Sequence, residues 1–244
     1  MNGSRTYLVK VLKRLESRLG SEGLAAEAAV IHGIAAGFGE TAVVQDELEN
    51  LFSVDGLEQL ALGLMWVHAK DRIPLNGLQD EVVNYEVEML RRIFLADPED
   101  DVEGKVPAER RKKPGLLGGA LGDFSRLIAD LRRRLTGGGK FQGFNEELAW
   151  RVLDQLSMLR NAASSSRNQD VEHFCDAMEG FVDYVVRNKI FSDVRVLSII
   201  DNANLTLQTV VGGAIPEEQD SLDQTIELLK HPSTLLKNDR AEDR

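Results

Sequence analysis

The chain has 244 residues, a formal charge of −11, 43% hydrophobic and 28% charged residues, and only 6% aromatics. Such an acidic chain lacks the electrostatic footprint for nucleic acid or an anionic membrane surface, and no apolar run approaches the ~20 residues needed to span a bilayer. Cores of Leu, Val, Ile and Ala with few aromatics suit helix-on-helix packing better than a β-sandwich. The first residues, Met1-Asn2-Gly3-Ser4-Arg5, lack the apolar stretch of a secretion signal. Cys175 is the single cysteine, so no internal disulfide forms; it reads as a small buried hydrophobe. Together these features predict a cytoplasmic protein.

In chain order, Ser4 is placed to cap a helix carrying Leu8, Val11, Leu12, Leu15 and Leu19, with Gly20 as its stop. Ser21–Ala36 is Ala-rich and helical by propensity. Thr41 is placed to cap Ala42–Phe52, and Asp55 with Glu58 reads as a capping box opening Gly56–Lys70. Gln79–Leu95 is a long helix after the break at Arg72-Ile73-Pro74.

Residues 96–118 hold three of the six prolines, an acidic block and the basic run Arg110–Lys113. Apolar residues are too sparse there to bury, which predicts a linker with solvated charges. Leu121–Leu135 and Asn145–Ala163 are the next helices, and Gly137-Gly138-Gly139 lies between them. That glycine run lacks the preceding strand and the Lys-Ser/Thr ending of a phosphate-cradling loop.

Asn168–Lys189 carries Val171, Phe174, Cys175, Met178, Phe181, Val182, Val185 and Val186, one stripe at helical spacing. Asp193–Val211 follows with Leu197, Ile200, Ala203 and Leu207, ending at Gly212-Gly213. Pro216–Lys230 is a shorter helix with Pro216 in its first turn. Short connections make these helices antiparallel neighbours. The prediction is an all-α chain of two antiparallel, four-helix-type bundles. Their bounds are 1–95 and 119–232, joined by the polar linker at 96–118, with a frayed tail at 233–244. Each half holds five helices, which suggests a weak internal duplication.

The run FCDAMEGFVDYVVRNKIFSDVRVLSIIDNANLTLQTVV, residues 174–211, resembles the histidine-phosphotransfer domain of the chemotaxis-kinase phosphoacceptor type. Met178, Glu179, Phe181, Val182 and Asp183 fit its helix pattern, as do Arg187, Asn188 and Lys189 of the basic turn after it. The resemblance covers roughly residues 120–230. It implies a family motif on the preceding helix, His-x-Leu/Ile-Lys-Gly, whose imidazole accepts a phosphoryl group. Here Ser157 stands at the histidine position, Arg160 in place of the Lys and Asn161 in place of the Gly. The second bundle therefore resembles a phosphotransfer domain without its acceptor, a docking surface for a response-regulator receiver or histidine kinase domain.

The first half offers Ile31-His32-Gly33-Ile34-Ala35-Ala36-Gly37-Phe38-Gly39. His32 precedes Ile34 as in the motif, but Ala35 and Ala36 occupy the Lys and Gly positions. His32 is the candidate phosphoacceptor, set against a bundle histidine without chemistry. Neither reading calls for a cofactor or metal. The other histidines read as a helix-end surface or cap residue (His68) and as isolated side chains (His173, His231). Asp201, Asn204 and Gln208 have the acid–amide spacing of receiver phosphatases, against the simpler reading of a solvated polar face. Trp66 and Trp150 read as packing anchors. The alternatives to a two-component signalling protein are a helical scaffold unrelated to phosphorelay and a response-regulator phosphatase.

Overall fold

Apolar stripes at spacings of three and four become helices in the computed structural model, which describes residues 3–38, 43–73, 79–95, 115–136, 140–211 and 216–237. Among the described residues there are eleven α-helices and no strand. They are α1 (Gly3–Ser21), α2 (Ala25–Gly37), α3 (Val44–Phe52), α4 (Glu58–Asp71), α5 (Gln79–Leu95), α6 (Leu116–Thr136), α7 (Glu146–Ser165), α8 (Gln169–Arg187), α9 (Val194–Val211), α10 (Pro216–Leu229) and α11 (Pro232–Leu235). The chain divides into two units, Met1–Ala96 with Thr234–Arg244, and Asp97–Ser233.

In the first unit, α1, α4 and α5 pack on one another, α2 lies against α1, and α3 against α4. The α1 stripe Leu8, Val11, Leu12, Leu15 and Leu19 is fully buried. Every residue from Leu60 to Lys70 of α4 is buried, so this helix has no solvent face. Its Gly63 lets α5 come close: a Cβ there would sit 2.6 Å from Leu90 Cδ2.

An all-round buried helix must satisfy its polar groups internally. Lys70 is ion-paired with Glu86 of α5, and its ammonium lies 5.6 and 5.4 Å from the ring centres of Trp66 and Tyr85. His68 Nε2 is 2.9 Å from the Arg72 guanidinium. His68 is thus a buried residue inside the first unit and does not occupy the surface position expected of it. Tyr7 is held above the ordinary phenol range, first by burial and then by the charges of Glu86 and Asp71.

In the second unit the helices close a ring: α6 packs on α7 and α9, α7 on α8, and α10 bridges α8 and α9. Phe124, Phe174, Phe181, Leu156, Leu159 and Leu207 lie in its core. The two units therefore agree in being built from five principal helices, while their packing orders differ. Helix α9 is buried on nearly all faces. Its small polar side chains bond back one turn: Asn202 Nδ2 donates to the Ser198 carbonyl at 2.7 Å and Thr206 Oγ1 to the Asn202 carbonyl at 3.1 Å.

Helix ends follow capping chemistry in the second unit. Asn145 accepts from the Leu148 amide at 2.9 Å and Asn168 from the Val171 amide at 3.1 Å. The first unit departs from expectation. Helix α1 starts at Gly3, ahead of Ser4. Helix α4 starts at Glu58 behind Leu57 with no side-chain cap, so the Asp55–Glu58 capping box does not form. Gly56, at φ +83, makes that turn instead. Gly20 does not stop α1; the left-handed glycine is Gly23, at φ +84. The linker's expected end at residue 118 also moves, because α6 already begins at Leu116. The rest of that segment, 96–114, lies outside the described residues, as do Thr41, Gly137–Gly139 and Gly212-Gly213.

The expected fraying from residue 233 is not what the described part shows. Helix α11 covers Pro232–Leu235, Leu235 and Leu236 are buried, and the Arg72 guanidinium donates to the Lys237 carbonyl. Residues 238–244 lie outside the described residues.

Candidate functional site

Helices α1 and α2 form a hairpin with Leu24 at its centre. Residues equally far from such a turn meet across an antiparallel pair. Glu16 and His32 each lie eight residues from Leu24, and His32 Nδ1 is 3.0 Å from Glu16 Oε1. Ile31, Ala35 and Phe38 form the buried stripe of α2. His32 follows Ile31 and is rotated about 100° around the axis, which leaves its side chain 71% exposed.

A carboxylate only accepts, so the ring nitrogen facing Glu16 is the one that carries the proton. In the neutral ring Nε2 then keeps its lone pair. The two ring nitrogens become chemically distinct, one anchored and one basic, on a largely exposed ring. Around it α2 is smooth: Ala29, Gly33, Ala36 and Gly37 are all exposed. A Cβ added at Gly33 or Gly37 would meet nothing within 4 Å. Neither glycine is therefore required by packing among the described residues.

In the second unit, Ser157 is half-buried on α7 and Asn161 is exposed. Arg160 reaches across to α8, bonding Asp176 Oδ1 at 3.0 Å and Glu179 Oε2 at 2.9 Å. Those bonds, the one to Asp176 foremost, raise its already high pKa. The structure thus places Ser157, Arg160 and Asn161 on one stretch of α7 beside α8, while His32 belongs to the first unit.

The acid–amide set on α9 is not on a solvated face. Asn204 is buried and accepts from Ser125 Oγ of α6 at 3.2 Å. Asp201 accepts from Arg132 of α6 at 3.2 and 3.3 Å, with Gln208 half-buried one turn beyond Asn204. Burial pushes the Asp201 carboxyl up, against the pull of Arg132. These groups join α6 to α9. Trp66 is buried as an anchor, but Trp150 is 59% exposed and is not the packing anchor expected of it.

Glu16 is the one site residue that sequence reasoning passed over. Its signal is positional: it lies off the α1 apolar stripe and mirrors His32 about the turn. Among the described residues, no group of three or more His, Cys, Asp or Glu side chains is placed to hold a metal ion, and no helix is long and apolar enough to cross a membrane. Comparison of the chain with family models, curated proteins and solved structures finds no match.

Proposed function

We propose that the chain is a two-component signalling protein whose first bundle carries a phosphoacceptor, His32, and whose second bundle docks a receiver or histidine kinase domain without chemistry of its own. One observation carries this reading: an exposed imidazole fixed through Nδ1 by Glu16, on a helix whose neighbouring outward residues are Gly and Ala. A nucleophile held by a base-side partner and left open on its reacting side is the arrangement that group transfer needs. Small residues beside it allow a second protein surface to approach closely.

In the forward step the Nε2 lone pair attacks the phosphorus of an aspartyl phosphate. An N–P bond forms as the P–O bond to the donor carboxylate breaks, and the electron pair leaves with that carboxylate. The ring gains positive charge, which the Glu16 carboxylate offsets through the Nδ1–H bond. The reverse step returns the phosphoryl group to a carboxylate. For the second bundle, Ser157 supplies no imidazole and Arg160 is committed to Asp176 and Glu179, which supports docking alone.

The test incubates the full chain with phosphoramidate and, separately, with a phosphorylated receiver domain. The reading predicts an acid-labile label that His32→Gln abolishes. Receiver binding with no label would reduce the function to docking. A label that survives His32→Gln, or neither label nor binding, would leave a helical scaffold as the better account.

A further inference from the structure

We propose that the α6–α7 face of the second unit is a self-association surface, occupied by a second copy of this chain packed antiparallel about a two-fold axis. Among the described residues of this unit, the large apolar side chains left exposed are Leu116 at 68%, Trp150 at 59% and Met158 at 59%. All three lie on α6 and α7. An exposed tryptophan and methionine two helical turns apart on one helix mark a surface that another surface covers.

Between the two helices runs a groove of about 690 Å³ that includes Met158. Along α6 it presents Asp123, Arg126, Asp130 and Arg133, and along α7 Arg151 and Asp154. The signs alternate and cancel. A two-fold axis lying in this face and crossing the helices sets each helix against its own copy, running the other way. About the midpoint of the α6 run, Asp123 then meets Arg133 of the second copy, and Arg126 meets Asp130. Arg151 and Asp154 exchange in the same manner on α7. Parallel apposition would instead set like charges together. The face is therefore complementary to itself in this antiparallel orientation, as an isologous interface requires.

The other grooves of this unit favour this face by contrast. The grooves between α8 and α10 carry Asp176, Asp183, Asp223 and Glu227 against Arg187 and Lys230. Two copies approaching there would repel, as the whole-chain charge of −11 also demands. The neutral α6–α7 groove lets like molecules meet with less repulsion than the α8–α10 grooves. Its present ion pairs are local and exposed, Arg126 with Asp123 and Arg133 with Asp130, so exchanging them across an interface loses little. Helices of 21 and 20 residues give a face about 30 Å by 20 Å, roughly 600 Å² before side-chain relief, near the ~800 Å² per partner of a stable complex.

Sedimentation velocity on the full chain tests this. The wild type is expected to sediment as a dimer of 27.1 kDa chains. Arg126→Asp alone and Asp130→Arg alone each set like charges opposite one another twice and should be monomeric. Mixed in equal amounts, they should re-form a dimer, because each contact between positions 126 and 130 then joins an acidic side chain to a basic one. Trp150→Ala, at a position too exposed to affect folding, should also shift the population toward monomer. A monomeric wild type at the highest soluble concentration would overturn the proposal. So would single variants that still dimerise, or a mixture that stays monomeric while circular dichroism shows both variants folded.

Discussion

Replacing Glu86 by Ala removes one half of a fully buried ion pair, and the structure sets the scale of the loss. Lys70 is 4% exposed and Glu86 1%. An unpartnered charge at such a depth costs about 3–5 kcal/mol. The rings of Trp66 and Tyr85, at 5.6 and 5.4 Å from the ammonium, stay in place and offset roughly 1 kcal/mol each. The net loss is therefore about 1–3 kcal/mol, or a fall of roughly 0.5–2 M in the urea midpoint for a bundle of this size. The double replacement Lys70→Met with Glu86→Leu should recover most of it, since Glu86 Oε2 has no hydrogen-bond partner among the described residues and the pair is only half satisfied. Urea unfolding followed by tryptophan emission reads the first unit well, because Trp66 is buried beside Lys70 while Trp150 is already exposed. A loss under about 1 kcal/mol for the single variant, or a double variant less stable than the single, would refute the reasoning.

Three further outcomes can be checked independently. Gly33→Ala should raise the melting temperature, gaining about 0.5–1 kcal/mol of helix propensity in open space, yet slow labelling by a phosphorylated receiver while leaving labelling by phosphoramidate unchanged; equal rates from the receiver would argue against close approach at α2. Burial acts to raise the Glu88 carboxyl, but Arg91, Arg18 and Arg92 outweigh it and hold the group below its usual value. Stability from such a group is present above the unfolded pKa and disappears as pH falls through the folded one. Glu88→Gln should therefore cost about 1 kcal/mol near neutrality and nothing in acid, measured as paired denaturation curves; a penalty independent of pH would contradict this. The Cys175 thiol is fully buried and pushed up to about 12 by burial, then by Glu179, against the opposing charge of Arg160. It should resist an aromatic disulfide reagent at mildly alkaline pH until urea unfolds the second unit, and rapid reaction of the native protein would show the core to be open.

The helices of the second unit were legible because pattern and packing agree there. Asn145 and Asn168 cap them, and the stripe from Val171 to Val185 is buried as its spacing indicates. Helices α4 and α9 were read as helices with nearly the observed bounds, but their burial on nearly all sides was not, because apolar spacing on one face says nothing of what covers the others. For the same reason Asp201 and Asn204 looked solvated in one dimension, although α6 supplies their partners. Trp150 was misjudged because an aromatic on a helix gives no sign of which neighbours will cover it. Leu235 and Leu236 were lost in a polar tail because two apolar residues make no period. At the candidate site, His32 stood out because it precedes Ile34 as in the phosphoacceptor motif it resembles. Glu16 became visible only through the geometry of the hairpin.

The most direct measurement of the central claim is phosphorus-detected NMR of the full chain after labelling, correlating the phosphorus with the ring protons of the modified histidine. Glu16 holds Nδ1, so the phosphoryl group should be found on Nε2 of His32, and Glu16→Gln should slow its arrival about tenfold or more. A phosphorus on Nδ1, a label on another residue, or no label at all would contradict the account.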